Sequence, residues 1–251
     1  MIITAFDLET TGTDRQKDRI IEIGLALYST GQKRILESAC FLVDPEGVAV
    51  TEEITGITGL YQNAVEKFGY SEESALDSFC DFYNKADAVI GHNINRFDLP
   101  FINNAMSRMG YDVITPKLAI DTMTDIPGVK GEKLITMCAN AGFVYKAHSA
   151  AADVAAVLSL TEYHATYFPE RSWEKIVERS ESPLVVLLSK QPNTTASNKV
   201  ARKAGFRWNG DFKIWWQAIK EMDIEKLAKT YPFAMEYAPK DMYPLDVLRE
   251  D

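Results

Sequence analysis

The chain has 251 residues, 46% of them hydrophobic and 25% charged, with a formal net charge of −9. That length and apolar share suit one large domain, or a medium domain with a small one, and exclude a disordered or low-complexity chain. The negative balance argues against coating nucleic acid by charge alone, and no apolar run approaches the roughly 18 residues of a membrane helix.

The charge is uneven. Residues 183–251 carry 11 basic and 9 acidic side chains, against 16 and 27 in residues 1–182. The acidic part therefore needs a cation to meet a phosphate, whereas the last part does not. Asp7 and Glu9 interrupt any signal-peptide core at the N-terminus. Cys40, Cys80 and Cys138 are scattered in apolar contexts, with no C-x-x-C pair. They read as reduced core residues of a cytosolic protein, so a cytoplasmic location and no membrane partner are expected.

Met1-Ile2-Ile3-Thr4-Ala5 reads as a buried strand that continues into Phe6-Asp7-Leu8-Glu9-Thr10-Thr11-Gly12. In a strand, residues two apart share a face, which puts Asp7 beside Glu9. Paired carboxylates repel and resist burial unless a cation sits between them. A solvated strand end is the other reading of an isolated D-x-E. Here Thr-Thr-Gly forms a turn that leaves hydroxyls and backbone N–H groups next to the acids, which favours a ligand site. Arg19–Tyr28 reads as a second strand, Ser29–Gln32 as a turn, and Arg34–Val43 as a third strand ending at Asp44-Pro45. Asp14, Asp18 and Glu22 read as solvent-facing or paired.

Residues 54–59 form a short helix or loop, and Ser71-Glu72-Glu73 caps a helix to about Lys85. Ala88–Gly91 is a short buried strand. His92-Asn93-Ile94-Asn95-Arg96-Phe97-Asp98 begins as a loop and turns helical by Phe97, with Pro100 in the first turn. Asp98 then lies at a helix N-terminus just past a strand end, where open sheets present ligand sites. Lys117–Asp121 is a strand whose Asp121 reads as structural, and Glu132–Ala141 is a helix that stops at Gly142. A last helix runs from His148-Ser149 to about Tyr167, with Ser149 as its N-cap. His148 and Asp153 would be about 140° apart on a helix, so they converge only if His148 lies outside it. Three strands followed by alternating helix and strand predict an α/β domain with a mixed sheet and helices on both faces.

Ser180–Pro183 reads as a linker that divides domain 1–180 from a small α+β module, 183–251. The module has a strand at 184–188, a helix at 198–204, a hairpin about Asn209-Gly210-Asp211, a helix at 223–231 and a strand at 233–237. Lys199, Arg202, Lys203, Arg207 and Lys213 are interleaved with Trp208, Trp215 and Trp216. That pattern suits single-stranded nucleic acid held by charge and stacking, or equally a tryptophan core under solvated charge, or a protein partner.

Phe6-Asp7-Leu8-Glu9-Thr10-Thr11-Gly12, His92-Asn93-x3-Phe97-Asp98 and His148-x4-Asp153, in this order, closely resemble the three exonuclease motifs of the DEDDh family. These are 3′–5′ exonucleases on a ribonuclease-H-like fold, among them the proofreading subunit of bacterial replicative polymerase. The resemblance covers roughly residues 1–168. It implies a site for two Mg²⁺ or Mn²⁺ ions held by Asp7, Glu9, Asp98 and Asp153, with His148 as general base. The chemistry of the residues agrees, because an all-oxygen donor set suits hard cations and paired ions can serve an in-line phosphoryl displacement. Thr10 and Thr11 would hold the terminal nucleotide. Thr55-Gly56-Ile57-Thr58 resembles the family's His-Gly-Ile-Thr segment and would place Ile57 against that nucleotide, although Thr55 stands where the family has His. Phe97 reads as core support for Asp98 or as a stacking surface. Asn93, with His92, shapes the turn or touches substrate.

The resemblance implies hydrolysis from 3′ ends of single-stranded nucleic acid, DNA ahead of RNA, releasing nucleoside 5′-monophosphates. An exoribonuclease of the same family and an inactive nucleic-acid-binding adaptor are the alternatives. A homodimer, or a polymerase or repair partner, is left open.

Overall fold

The computed structural model describes residues 1–129, 131–210, 212–231, 233 and 235–239. The chain divides into two compact units, Met1–Ser180 and Glu181–Asp251.

In the first unit, strands β1 (Ile2–Thr10), β2 (Ile20–Ser29) and β3 (Arg34–Leu42) pair antiparallel, the first two joined by the loop 11–19 and the last two by a short turn. Strands β4 (Ala88–Gly91) and β5 (Ala119–Asp121) extend the sheet in parallel, giving the order β3-β2-β1-β4-β5. β1 and β2 are nearly all apolar because helices cover the sheet on both faces. Phe6 and Leu8 pack on one face with helices α3 (Glu72–Asn84) and α4 (Asp98–Met109). Ile3 and Ala5 pack on the other face with α5 (Leu134–Asn140), α6 (Ala150–Tyr167) and Ile176 of the helix Trp173–Glu181. Asp7 and Glu9 follow in the same alternation and so emerge on the α6 side. This is the mixed α/β sheet expected from the element order.

Two short helices, Glu52–Thr58 and Gln62–Phe68, lie between β3 and α3. The first is capped by the Thr51 side chain. The second has no side-chain cap at Tyr61 and no sequence signature that announces it. α3 begins at the predicted cap, with Ser71 accepting from the Ser74 N–H.

α6 lies directly on the sheet, and a glycine allows it. Gly24 sits opposite Asp7 in the β1–β2 ladder. A Cβ at Gly24 would stand 2.4 Å from the carbonyl carbon of Ala150. The alanines of 150–152 thin the helix, but it is the bare backbone of Gly24 that admits its first turn.

The predicted linker at 180–183 is shorter than expected, because the helix Trp173–Glu181 takes up its first half and Pro183 leads straight into the next strand. The second unit contains β6 (Leu184–Ser189), α7 (Thr195–Lys203), β7 (Arg207–Asn209), β8 (Ile214–Lys220), α8 (Ile224–Thr230) and β9 (Met235–Pro239). The antiparallel order β7-β8-β6-β9 is a β-α-β-β-α-β module of the ferredoxin-like kind. β7 and β8 pair as the predicted hairpin, and Asn209 Oδ1 accepts from the Phe212 N–H; Asp211 lies outside the described residues.

The stacking reading of the tryptophans needs correction. Trp215 is buried with Val185, Leu187, Ala201 and Phe206, while Trp216 points to the opposite face with Val186 and Leu188. Trp208 is half-buried against Trp215, at 5.7 Å between ring centroids. A module this small needs these rings for its core. Lys199, Arg202, Lys203 and Arg207 are exposed.

Candidate active site

The parallel strands β1, β4 and β5 end at one edge of the sheet, and α4 and α6 start there. A cleft of about 450 Å³ opens at this edge, with Asp7, Glu9, Asp98 and Asp153 among its lining residues. Asp7, Glu9 and Asp153 each direct a carboxylate oxygen to one place, and these atoms lie within 4.8 Å of one another. Glu9 and Asp153 are buried and Asp7 is half-buried.

Asp98 is 3% exposed, and its Oδ1 accepts from the Leu8 N–H at 3.1 Å. It flanks the trio without joining it. Burial, and then the charges of Asp98 and Asp153, hold the Asp7 carboxyl well above the usual carboxylate range. Burial with the charges of Asp153 and Glu22 pushes Glu9 up to about 8. Asp98 is also raised, chiefly by burial and in part opposed by the Leu8 N–H. Carboxylates strained in this way are matched to a cation, and an all-carboxylate donor set fits a hard divalent ion.

The start of α6 explains how Asp153 arrives. Ser149 occupies the N-cap position but makes no side-chain cap bond. Asp153 reaches back instead, and its Oδ2 accepts from the N–H groups of His148 (2.9 Å) and Ser149 (3.1 Å). Glu22, directly across from Glu9 in the ladder, accepts from the Ala150 N–H at 2.7 Å. Two acids thus cap the positive end of one helix. Glu22 is therefore paired, and its charge adds to the cluster.

His148 lies before the helix with φ +65°, exposed at the cleft, as the angular argument requires. Asn93 also has a left-handed backbone (φ +61°), and its N–H donates to Asp121 Oδ1 at 2.7 Å. Asp121 accepts from the Met123 N–H as well, so it serves as the tie for both loops. Burial pushes its carboxyl up to about 6. His92 pairs with Thr122 Oγ1 through Nδ1 at 2.9 Å.

Ile57 is 45% exposed and lines the cleft with Ile54. Phe97 also lines the cleft while packing on Phe101, at 4.9 Å between centroids. It therefore both supports the core and presents a surface. Thr10 lines the cleft, and its hydroxyl donates to the Gly12 carbonyl at 2.6 Å. Thr11 does not reach the cleft. It is buried, donates to Asp18 Oδ1 and accepts from the Arg19 N–H, each at 3.0 Å. Its side chain builds the turn.

Tyr145 was not singled out by the sequence. Its hydroxyl donates to Asp153 Oδ1 at 2.7 Å, and it lines the cleft with Met123, Lys133, Leu134 and Ile135. Only its position three residues before His148 would have marked it.

A family profile described as Exonuclease (RNase_T) matches residues 4–161. The chain belongs to this exonuclease family. It is 29% identical over 147 residues to the PolC-type DNA polymerase III of Pediococcus pentosaceus, covering 57% of this chain and 10% of that polymerase. It is 33% identical over 105 residues to the DNA polymerase III epsilon subunit of Treponema pallidum, covering 41% and 46%. The chain thus spans about a tenth of the length of the PolC-type polymerases it matches. Among solved structures it resembles E. coli exonuclease I in complex with a dA16 oligonucleotide. The TM-score is 0.62 at 15% identity, over 98% of this chain and 66% of the other, a likeness of fold. Divalent-metal dependence is a property of the family, and the Asp7–Glu9–Asp153 cluster is where such an ion fits in this chain. Among the described residues no helix is long and apolar enough to cross a membrane.

Proposed function

We propose that this exonuclease removes nucleotides from the 3′ end of single-stranded DNA and releases nucleoside 5′-monophosphates, using two divalent cations, Mg²⁺ or Mn²⁺. The observation that carries this reading is the convergence of Asp7, Glu9 and Asp153 within 4.8 Å, with Asp98 and His148 lining the same cleft. The match to DNA polymerase III chains, and the likeness to an exonuclease I bound to an oligodeoxynucleotide, support DNA as substrate and a polymerase as partner.

Bound ions would neutralise phosphate charge and acidify water, the chemistry that metal-assisted hydrolysis needs. Asp7, Glu9 and Asp153 would hold them as ionised ligands, with the Asp98 carboxylate beside them adding negative charge to the site. His148 accepts the proton of the attacking water, since a neutral imidazole nitrogen can take a proton and the loop brings it to the cleft. The water oxygen bonds to phosphorus, the bond from phosphorus to the 3′ oxygen breaks, and that oxygen takes a proton from solvent. Ile57 and Phe97 bracket the terminal base, while Thr10 and the 10–12 backbone hold the sugar end. Asn93 keeps the β4–α4 turn in place. Residues 1–180 form the catalytic domain. Residues 183–251 form a module that adds affinity for the strand through Lys199, Lys203 and Arg207.

The test is incubation of end-labelled DNA and RNA with Mg²⁺, with Mn²⁺ and with chelator. Stepwise, metal-dependent shortening of DNA from the 3′ end is expected. Preferential shortening of RNA would transfer the reading to an exoribonuclease, and inactivity on both in both metals would leave a binding protein.

A further inference from the structure

We propose that Tyr145 is a positioning residue for the metal site: its hydroxyl fixes the rotation of the Asp153 carboxylate so that one Oδ1 lone pair faces the ion. The inference rests on the metal-site reading above and goes on to name what aims that ligand.

An ionised carboxylate has about four lone-pair sites, two on each oxygen. On Asp153, Oδ2 accepts two backbone N–H groups, those of His148 and Ser149, so both of its sites are used. Among the described residues, Oδ1 accepts from the Tyr145 hydroxyl alone, at 2.7 Å. The remaining site belongs to Oδ1, and the direction of the Tyr145 bond determines where it points. The backbone bonds alone hold the far oxygen. They leave the carboxylate able to turn about that anchor, and repulsion from Asp7 and Glu9 favours turning away.

The tyrosine is well placed to resist this. Its ring packs at the edge of the core under α5 and α6, and its hydroxyl reaches into the cleft. It stands on the same loop as His148, so its hydroxyl ties the Asp153 carboxylate to that loop a second time, beside the His148 N–H. Outer partners of this kind hold first ligands in orientation, and their loss costs about 10–100-fold in metal affinity or activity.

The test compares Tyr145→Phe, which keeps the ring and removes only the hydroxyl, with Asp153→Asn and the unaltered protein. Mn²⁺ affinity is read by calorimetry, and cleavage of an end-labelled oligodeoxynucleotide is followed across a Mn²⁺ titration. Circular dichroism melting verifies that each variant is folded. For Tyr145→Phe the expected result is a Mn²⁺ affinity about 10–100-fold weaker, with the Mn²⁺ midpoint for cleavage raised by the same factor. At saturating Mn²⁺ its KM for the oligonucleotide should stay within about twofold and its rate should largely return, a recovery that a merely structural role would not produce. An unchanged Mn²⁺ affinity in Tyr145→Phe, or a lost rate that saturating Mn²⁺ does not restore, overturns the inference while leaving the site reading intact. If Asp153→Asn also binds Mn²⁺ as the unaltered protein does, the site reading falls and the inference with it.

Discussion

Asp7→Asn should abolish cleavage and yet make the cation-free protein more stable, by a margin that widens with pH. The ligating atoms of Asp7, Glu9 and Asp153 lie within 4.8 Å of one another. Two unit charges at that distance repel by about 3.5 kcal/mol in an effective dielectric of about 20. The folded protein relieves this by keeping a proton on Asp7, whose carboxyl is held well above its usual range by burial and by Asp98 and Asp153. The sign follows from linkage. The unfolded chain releases that proton near pH 4 and the folded protein does not. Stability is therefore full below that point and falls as pH rises toward the raised folded value.

One retained proton steepens the loss by at most about 1.4 kcal/mol per pH unit for as long as the folded Asp7 keeps it. For a chain of this size each kcal/mol moves the melting temperature by about 2–4 °C. Asparagine carries no such penalty. Melting in chelator from pH 5 to pH 8 should show Asp7→Asn drawing ahead of the unaltered protein by about 3–6 °C per pH unit at most. Added Mn²⁺ should stabilise the unaltered protein at pH 8 and leave the variant unmoved. A variant that melts at or below the unaltered protein at every pH, or a gap that stays constant, would refute the reasoning.

Three further outcomes follow from the same geometry. His148→Ala should lower kcat about 10²–10⁴-fold while Mn²⁺ affinity stays near its original value, because only the backbone N–H of His148 touches Asp153; parallel loss of Mn²⁺ binding would place His148 among the ligands instead. Gly24→Ala puts a Cβ 2.4 Å from the Ala150 carbonyl carbon. It should cost about 1–3 kcal/mol and weaken Mn²⁺ binding as α6 lifts Asp153 away, and a variant that melts and binds Mn²⁺ normally counts against this packing. Replacing Lys199, Lys203 and Arg207 with alanine together should reduce the slope of log affinity against log salt for single-stranded DNA by about 2, with kcat unchanged. An unaltered slope removes the second unit from substrate binding.

Much of this site is legible from local rules. Alternation along a strand has period two, so Asp7 and Glu9 share a face wherever that strand is placed. A helix turns about 100° per residue, so His148 had to leave the helix for it and Asp153 to meet. The start of α3 at Ser71 was equally local, a side chain satisfying its own helix's N–H groups. The helix Gln62–Phe68 escaped notice because its N-cap residue, Tyr61, supplies no such bond.

Other features depend on elements far apart in sequence. Trp208, Trp215 and Trp216 read from sequence either as surfaces for nucleic acid or as core; a strand sends neighbours to opposite faces, and only the assembled module shows Trp215 and Trp216 both buried. Thr11 looked like a nucleotide contact until the loop closed around Asp18. By itself, then, the sequence determined the family, the mixed α/β sheet and the five residues that line the cleft, because these rest on spacing within single elements and on the order of elements and motifs along the chain. Tertiary structure alone decided what surrounds them: Glu22 across the ladder from Glu9, Gly24 beneath the first turn of α6, and Tyr145 on Oδ1 of Asp153. Those contacts join β1, β2, α6 and the loop before it, and a through-space distance between separate elements has no signature in the spacing of any one of them.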